Sequence, residues 1–445
     1  MATDKEQKAL SVIERLRRAG FEAYLAGGCV RDRLLGITAQ DYDIATNARP
    51  EVVQSMFADT IAVGARFGVI VVVVDGDQFE VATFRADAPY VDGRRPSAVR
   101  YGTIEEDVRR RDFTIGGMYL DPVSGRVIDL VGGIRDLRAG IIRAIGDVYE
   151  RFEEDHLRML RAVRFAARLG FAIDPATWTA IRRSAPSIAN IAAERVGEEI
   201  VMIMTEGGAA RGLDLMLDSG LLSVLMPEVV EMVGCEQPEN FHPEGDVYRH
   251  TRLMLSMLPR GCDETLAFGT LLHDVAKPRC RAVVDGKTNF YGHTEQGAAM
   301  AGEIMRRLRR SRFVQERVAY LVRYHLRMCM APRMRPATLK RMLAEEGFSE
   351  LLELSRLDAL GSSSYLGFYH FCRRAMAAMG EHEIRPPRLI GGDDLIRLGF
   401  RPGPQFKQIL AEIDDLHLDG LLTTPGDALR YVLDSYRPAV PDDDT

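Results

Sequence analysis

The sequence predicts a multidomain α+β protein: an N-terminal head built on a mixed sheet, then an all-α neck, a second helical domain and a small helical tail. Three observations predict it. The chain has 445 residues, whereas single hydrophobic cores stop growing near roughly 250–300 residues. Strand signals, meaning runs of β-branched residues closed by glycine turns, are confined to the first third. From Arg151 onward alanine, leucine and arginine recur at helical spacing.

In the head, apolar Ala9, Leu10, Ile13 and Leu16 predict a helix over 5–19 ended by Gly20, and E-A-Y-L-A-G-G predicts a strand running into a glycine turn. A short helix at C-V-R-D-R-L-L-G and a strand at D-Y-D-I-A follow, and Pro50 opens the next helix. G-V-I-V-V-V-V and F-E-V-A-T-F form a hairpin across Asp75-Gly76-Asp77-Gln78. Residues 86–102, polar and rich in Pro, Gly and Arg, predict a mobile loop over a site, and R-V-I-D-L-V-G-G returns to strand around 126–133. The expected domains are a head over 1–145, a neck over 146–235, a domain over 236–380 that begins at the breakers C-E-Q-P-E-N-F-H-P-E-G-D, and a tail over 381–445.

Hydrophobic residues at 46% and charged residues at 27% give the balance of a folded protein and exclude long disorder or a membrane bundle. No apolar run approaches the roughly 18 residues of a spanning helix, and M-A-T-D-K-E-Q-K lacks the apolar segment of a signal peptide, so the expected compartment is the cytoplasm. Six cysteines without a C-x-x-C pair are expected to be buried thiols. With 58 basic against 64 acidic side chains, any polyanion must be held by local patches.

Gly27-Gly28 close the first strand, and Asp41-Tyr42-Asp43 stand at the start of the next. Strand residues two apart share a face, so both carboxylates are expected to point at one divalent cation, Mg²⁺, for metal-assisted nucleotidyl transfer. Backbone amides at the paired glycines and the following helix start suit a triphosphate, and Arg31 joins Gly27 and Gly28 in the expected nucleotide-binding set. Asp155 and Arg158, three apart, are expected on one face of one helix, where acceptors and a rigid donor fork match the Watson–Crick edge of C or A. Arg161, Arg164 and Arg168 extend a basic ridge for triphosphate or RNA.

A-G-G-C-V-R-D-R-L-L-G, D-Y-D-I-A-T, R-R-D-F-T-I and E-E-D-H-L-R-M-L-R-A-V-R-F-A-A-R-L-G-F resemble the motifs of bacterial class II tRNA nucleotidyltransferases and poly(A) polymerases, members of the DNA polymerase β superfamily, over about residues 20–235. The resemblance implies a polymerase-β-like head in which Asp41 and Asp43 are catalytic and hold the metal. It sets Arg111 and Asp112 against the nucleotide sugar, and Asp155 and Arg158 against the incoming base. The family continues R-R-D-F-T-I with Asn-Ala, where this chain has Gly116-Gly117. A-D-A-P-Y-V-D-G-R-R-P resembles the flexible loop that the family needs for A addition.

Downstream, His250, His273, His293 and His325 with Asp274 and Asp358 supply six N/O ligands, suited to one or two divalent transition metal ions. Their order, H…HD…H…H…D across about residues 246–360, resembles the HD phosphohydrolase superfamily. That resemblance implies metal-assisted phosphoester hydrolysis, with Asp274 bridging two metals and Lys277 stabilising phosphate charge. Between the ligands Arg306, Arg307, Arg309, Arg310 and Arg312 predict a local basic surface, and Arg401 and Lys407 flank a Gly-Pro turn in the tail that can meet RNA.

Together the resemblances imply template-independent addition of CMP and AMP, from CTP and ATP, to a tRNA 3′ end, beside an HD phosphohydrolase. An A-adding enzyme and a poly(A) polymerase are the alternatives within the class. From another class, a metal phosphohydrolase with an inert RNA-binding head is the alternative, and the Asp41/Asp43 pair argues against it.

Overall fold

The computed structural model describes residues 3–64, 67–87, 99–238, 245–362, 364–380, 384 and 386–436. Two compact units emerge: Met1–Glu231 with Leu258–Glu264 and Ile304–Arg310, and Met232–Met257 with Thr265–Glu303 and Ser311–Thr445.

The first unit opens with α1 (Asp4–Arg18), capped by the Thr3 side chain and burying Ala9, Val12, Ile13 and Leu16 along one stripe. Then come β1 (Ala23–Ala26), α2 (Gly28–Leu34), β2 (Asp43–Thr46), α3 (Pro50–Met56), β3 (Thr60–Gly64), β4 (Val69–Val74) and β5 (Asp77–Thr83). They are followed by β6 (Arg85–Asp87), β7 (Val99–Tyr101), α4 (Ile104–Arg109), β8 (Met118–Leu120), β9 (Val127–Asp129) and α5 (Gly133–Ala139). Seven strands form one sheet in the order β3-β4-β5-β2-β1-β8-β9. Only β2 and β5 run parallel, so the sheet is mixed as expected. The β4–β5 turn is tighter than the sequence reading: Asp75 and Gly76 alone make it, both at positive φ, which matches the twist of the flanking strands. Residues 88–98, most of the segment read as a loop over a site and of the A-addition resemblance, lie outside the described residues; β6 and β7 pair antiparallel at its two ends.

Two registers position the site. Ala26, the last residue of β1, sits opposite Asp43, the first of β2. The Gly27 amide then donates to the Met118 carbonyl at 3.1 Å, tying the glycine turn to β8. Beneath these strands Ala26, Ala45, Phe84, Val108 and Tyr119 form a buried cluster.

The neck holds α6 (Val148–Glu154), α7 (Arg158–Leu169), α8 (Pro175–Ser184), α9 (Ala193–Thr205) and α10 (Ala209–Ser219). α7 packs on α9 and α10 and buries Met159, Leu160, Ala162, Val163, Ala166 and Ala167, with Arg158 and Arg164 of the arginine ridge buried as well. Asp155 lies between α6 and α7 with extended backbone, so it shares no helix face with Arg158 and the single-helix expectation is overturned. Its side chain explains the break: Oδ1 accepts from the Leu157 amide at 3.1 Å, a local bond that competes with helix continuation.

Among the described residues the second unit is helical apart from a two-stranded hairpin, Ala282–Val284 with Lys287–Asn289, turning at Asp285-Gly286. Helix Glu264–Leu272 is buried on all sides from Thr265 onward. In the tail, Ile390, Leu395, Phe400, Ile409, Ile413, Leu422, Ala428 and Val432 make a small core of their own. Among the described residues no helix is long and apolar enough to cross a membrane. All six cysteines are free; Cys29, Cys235 and Cys372 are buried, but Cys329 is exposed, contrary to expectation.

Candidate functional site

A cavity of about 1050 Å³ in the first unit is lined by Gly27, Gly28, Arg31, Asp41, Asp43, Arg111, Asp112, Asp155, Arg158, Arg161 and Arg164, so every head and neck residue singled out in the sequence reaches it. Nine arginines and six carboxylates share the lining. Such a wall suits an anionic ligand, provided that its own ion pairs are open to exchange.

Gly27 is at φ +70°, and a Cβ there would lie 3.2 Å from Arg111 Nη1 and 3.8 Å from Asp43 Oδ2. Glycine is what lets the turn, the carboxylate and the guanidinium meet. Burial pushes the Asp43 carboxyl up to about 6, with Glu80 and Asp41 adding repulsion and Arg111 opposing them. Asp41 departs from expectation: β2 begins at Asp43, so Asp41 precedes the strand, and its exposed carboxylate meets Lys5 Nζ at 2.9 Å. The Gly27 amide is already bonded within the sheet, so the amides available to phosphate begin at Gly28, the first residue of α2.

Arg111 is anchored from below. Asp107, buried at the end of α4, accepts from Arg110 Nε at 2.8 Å, from Arg111 at 3.2 and 3.3 Å, and from the Tyr119 hydroxyl at 2.7 Å. Burial alone would raise this carboxyl, yet Arg110, Arg111 and Tyr119 hold it below its ordinary value. Asp112 accepts from Arg158 Nε at 2.8 Å and Arg161 Nε at 2.5 Å. Arg158 also reaches Glu154 at 2.6 Å and the Arg110 carbonyl at 3.0 Å, while Asp155 is held bidentately by Arg195 at 2.7 and 3.2 Å. Arg31, Arg161 and Arg164 stack around the Phe165 ring, 4.5–5.8 Å from its centroid. Arg164 pairs with buried Glu199 at 2.8 Å, and Arg168 with Glu206 at 3.3 Å.

In the second unit the six expected ligands fall into two groups, His250 with His273 and Asp358, and Asp274 with His293 and His325, the ligand atoms in each lying within 4.8 Å of one another. His250 Nε2 is 3.1 Å from Asp358, and Asp274 is 3.1, 3.6 and 3.7 Å from His273, His293 and His325. The other ring nitrogen of three imidazoles meets a backbone carbonyl: His273 with Thr270 at 2.9 Å, His293 with Phe290 and His325 with Val322 at 2.7 Å. With Nδ1–H donating there, each Nε2 lone pair faces inward. Burial pushes His325 down to about 4, so its imidazole is neutral at pH 7. Burial would raise Asp274, but His273 and Lys277 keep it well below the ordinary range. Buried His273 Nε2, Asp274 Oδ1 and His293 Nε2 have no hydrogen-bond partner, which is the donor set a cation would satisfy. Gly361 makes room, since a Cβ there would come 3.2 Å from His250 Cε1. Lys277 bonds both Asp274 and Gln237 at 2.6 Å.

The basic run is not a bare patch. Arg307 is bidentate to Glu228, Arg310 to Glu264, and Arg312 pairs with Glu316. The local basic surface expected from the sequence is partly neutralised by carboxylates that lie 46 and 79 residues away in the chain.

Comparison with known proteins adds the family. The CCA-adding enzyme of Latilactobacillus sakei subsp. sakei is 38% identical over 274 residues, 60% of this chain and 69% of that protein. The chain belongs to the CCA-adding enzyme family. Two further members, from Geobacillus stearothermophilus at 46% over 220 residues and Ligilactobacillus salivarius at 43% over 219, are matched along 49% of this chain and 54% of their own. The chain thus spans about half the length of these two relatives. A crystal structure of the Bacillus stearothermophilus CCA-adding enzyme in complex with CTP matches with a TM-score of 0.73 at 26% identity, over 97% of this chain and 98% of that one. Three domain families match in order: the poly A polymerase head domain at 23–143, the probable RNA and SrmB-binding site of polymerase A at 170–232, and the HD domain at 246–360. For this member of the CCA-adding family the sequence reading missed Asp107, Glu154, Arg195, Gln237 and Arg260, the last on the cavity wall. Arg195 and Gln237 act through contacts 40 residues away, whereas Glu154 meets Arg158 and Asp107 meets Arg110 and Arg111 within four residues; the acidic capping box T-I-E-E-D before the R-R-R-D run is the local mark of Asp107.

Proposed function

We propose that this chain adds CMP and AMP to tRNA 3′ ends without a template, using CTP and ATP. The observation that carries the reading is the convergence of Asp41, Asp43, Arg111, Asp112, Asp155 and Arg158 on one cavity large enough for a nucleotide and an acceptor end. The CTP bound in the related crystal structure supports it. Residues 1–145 would carry the chemistry, 146–235 nucleotide and RNA binding, 236–380 the HD centre, and the tail at 381–445 a further RNA contact, in a cytoplasmic protein.

Asp41 and Asp43 would hold Mg²⁺, a hard cation suited to carboxylate oxygens. Both carboxylates line the one cavity, and a cation there would offset the negative charge that burial makes costly on Asp43. When bound, the ion stabilises charge on the attacking 3′ hydroxyl oxygen and on the leaving pyrophosphate. Arg111 and Asp112 flank the sugar, and Arg31, Arg161 and Arg164 offset triphosphate charge by exchanging their internal carboxylates for phosphate oxygens. Asp155 accepts and Arg158 donates. C and A both present an amino donor beside a ring-nitrogen acceptor, whereas U and G present a carbonyl beside an N–H, so the pair selects by donor pattern.

We further infer phosphoester hydrolysis in the HD domain, supported by the orphaned ligand atoms. One or two transition metal ions on His250, His273, Asp274, His293, His325 and Asp358 would supply Lewis acidity. Lys277 would balance charge on the phosphate.

The test incubates the protein with tRNA lacking its last three, two or one nucleotides and labelled CTP or ATP. Growth on all three acceptors is expected. Growth by A alone on the acceptor ending in CC would make it an A-adding enzyme, a long A tail would make it a poly(A) polymerase, and no growth with Mg²⁺ present would leave the head inert.

A further inference from the structure

We propose that Arg195 is a positioning residue for base selection, fixing the face that Asp155 turns to the incoming nucleotide. The proposal rests on the base-reading role given to Asp155 above. Arg195, in the first turn of α9, is not among the residues lining the cavity, whereas Asp155 is. It therefore acts from behind.

An ionised carboxylate has about four acceptor positions. On Asp155, Oδ1 accepts from Arg195 Nη1 at 3.2 Å and from the Leu157 amide at 3.1 Å, while Oδ2 accepts from Arg195 Nη2 at 2.7 Å. Oδ1 is thereby filled, and Oδ2 keeps one position for the exocyclic amino group of C or A. Asp155 stands in extended backbone between two helices, so no helix face holds its side chain. The planar fork of Arg195 supplies that constraint, and a lysine, with a single ammonium, cannot fix the carboxylate plane. Once free to rotate, Asp155 would lose its preference for an amino donor over a carbonyl.

The experiment measures kcat/KM for CTP, ATP, UTP and GTP with wild type, Arg195→Lys, Arg195→Ala, Asp155→Ala and the double variant Arg195→Ala/Asp155→Ala. Melting is followed through Trp178, the one tryptophan of the chain. Arg195→Lys is expected to melt near wild type while the preference for CTP and ATP over UTP and GTP falls by about tenfold, the scale of one bidentate contact. The double variant should select no worse than Asp155→Ala alone. If both Arg195 variants lower all four nucleotides equally while Asp155→Ala alters selection, Arg195 is structural and the proposal falls alone. Further loss in the double variant would mean that Arg195 reads the base itself, which also overturns it. If Asp155→Ala leaves selection unchanged, the base-reading role fails and takes this proposal with it.

Discussion

Asp107→Asn is expected to destabilise the first unit by about 3 kcal/mol at pH 7, the lower end of the roughly 3–5 kcal/mol that follows when a buried ion pair loses one partner. The carboxylate is 1% exposed, whereas the Arg110 and Arg111 side chains are each 19% exposed, so water relieves part of the stranded positive charge. Asparagine keeps the shape and one acceptor but turns an N–H donor toward guanidinium or hydroxyl donors. Because the carboxyl is held below its ordinary value in the folded state, its contribution is complete above the unfolded pKa of about 4 and fades as pH falls through the lower folded value. The gap between wild type and variant should therefore be widest at neutral pH and close in acid. Urea unfolding followed through Trp178 fluorescence, at several pH values, measures it. KM for CTP should rise in parallel, since Arg111 loses the anchor that holds it beside Gly27. A shift under about 0.5 kcal/mol, the range of ordinary surface changes, or a gap independent of pH, would refute the reasoning.

Asp43→Asn or Asp41→Asn should lower nucleotide addition by roughly 10³-fold while leaving HD hydrolysis and the fold intact, as expected for a lost metal ligand; primer extension with circular dichroism checks both. Asp274→Ala should strip transition metal, read by mass spectrometry, and end phosphoester hydrolysis, while nucleotide addition survives within roughly a few-fold because the two sites share no partner residue and belong to separate compact units. Gly117→Ala should cost about 1–3 kcal/mol by overpacking, since its Cβ would lie 2.9–3.1 Å from Val131, Ile145 and Val108. Gly116→Ala, with nothing within 4 Å, should stay within about 0.5 kcal/mol in the same urea titration.

The mixed sheet and the ligand order of the HD centre were legible because both are written locally, in strand runs closed by glycine and in polar residues amid apolar helix. Gly116-Gly117 was legible only as a departure; the packing of Val108, Val131 and Ile145 over Gly117 shows why even alanine is crowded there. Asp155 defeated the helical reading because a single side-chain bond to the Leu157 amide competes with the helix, and spacing alone carries no trace of it. The D-G turn at Asp285-Gly286 was a hairpin signal that the surrounding helical composition obscured. Counter-charges for the arginines came from Glu228 and Glu264, which only the fold brings near.

The carbonyls that lock the HD imidazoles have a consequence for how that centre breaks. Each lies three residues upstream of its histidine, and two of the histidines, His273 and His325, stand just past the ends of their helices. The accepting groups of Thr270 and Val322 are therefore among the last carbonyls, which have no partner within the helix. One ring thus serves two masters, ending a helix with one nitrogen and presenting a lone pair with the other. If the proposed cation is bound there, chelation and mutation would be different injuries: a chelator would remove the cation and leave both helix ends tied, whereas deleting the imidazole would untie the helix as it removed the ligand. Such a scaffold would keep its walls through a change of ion.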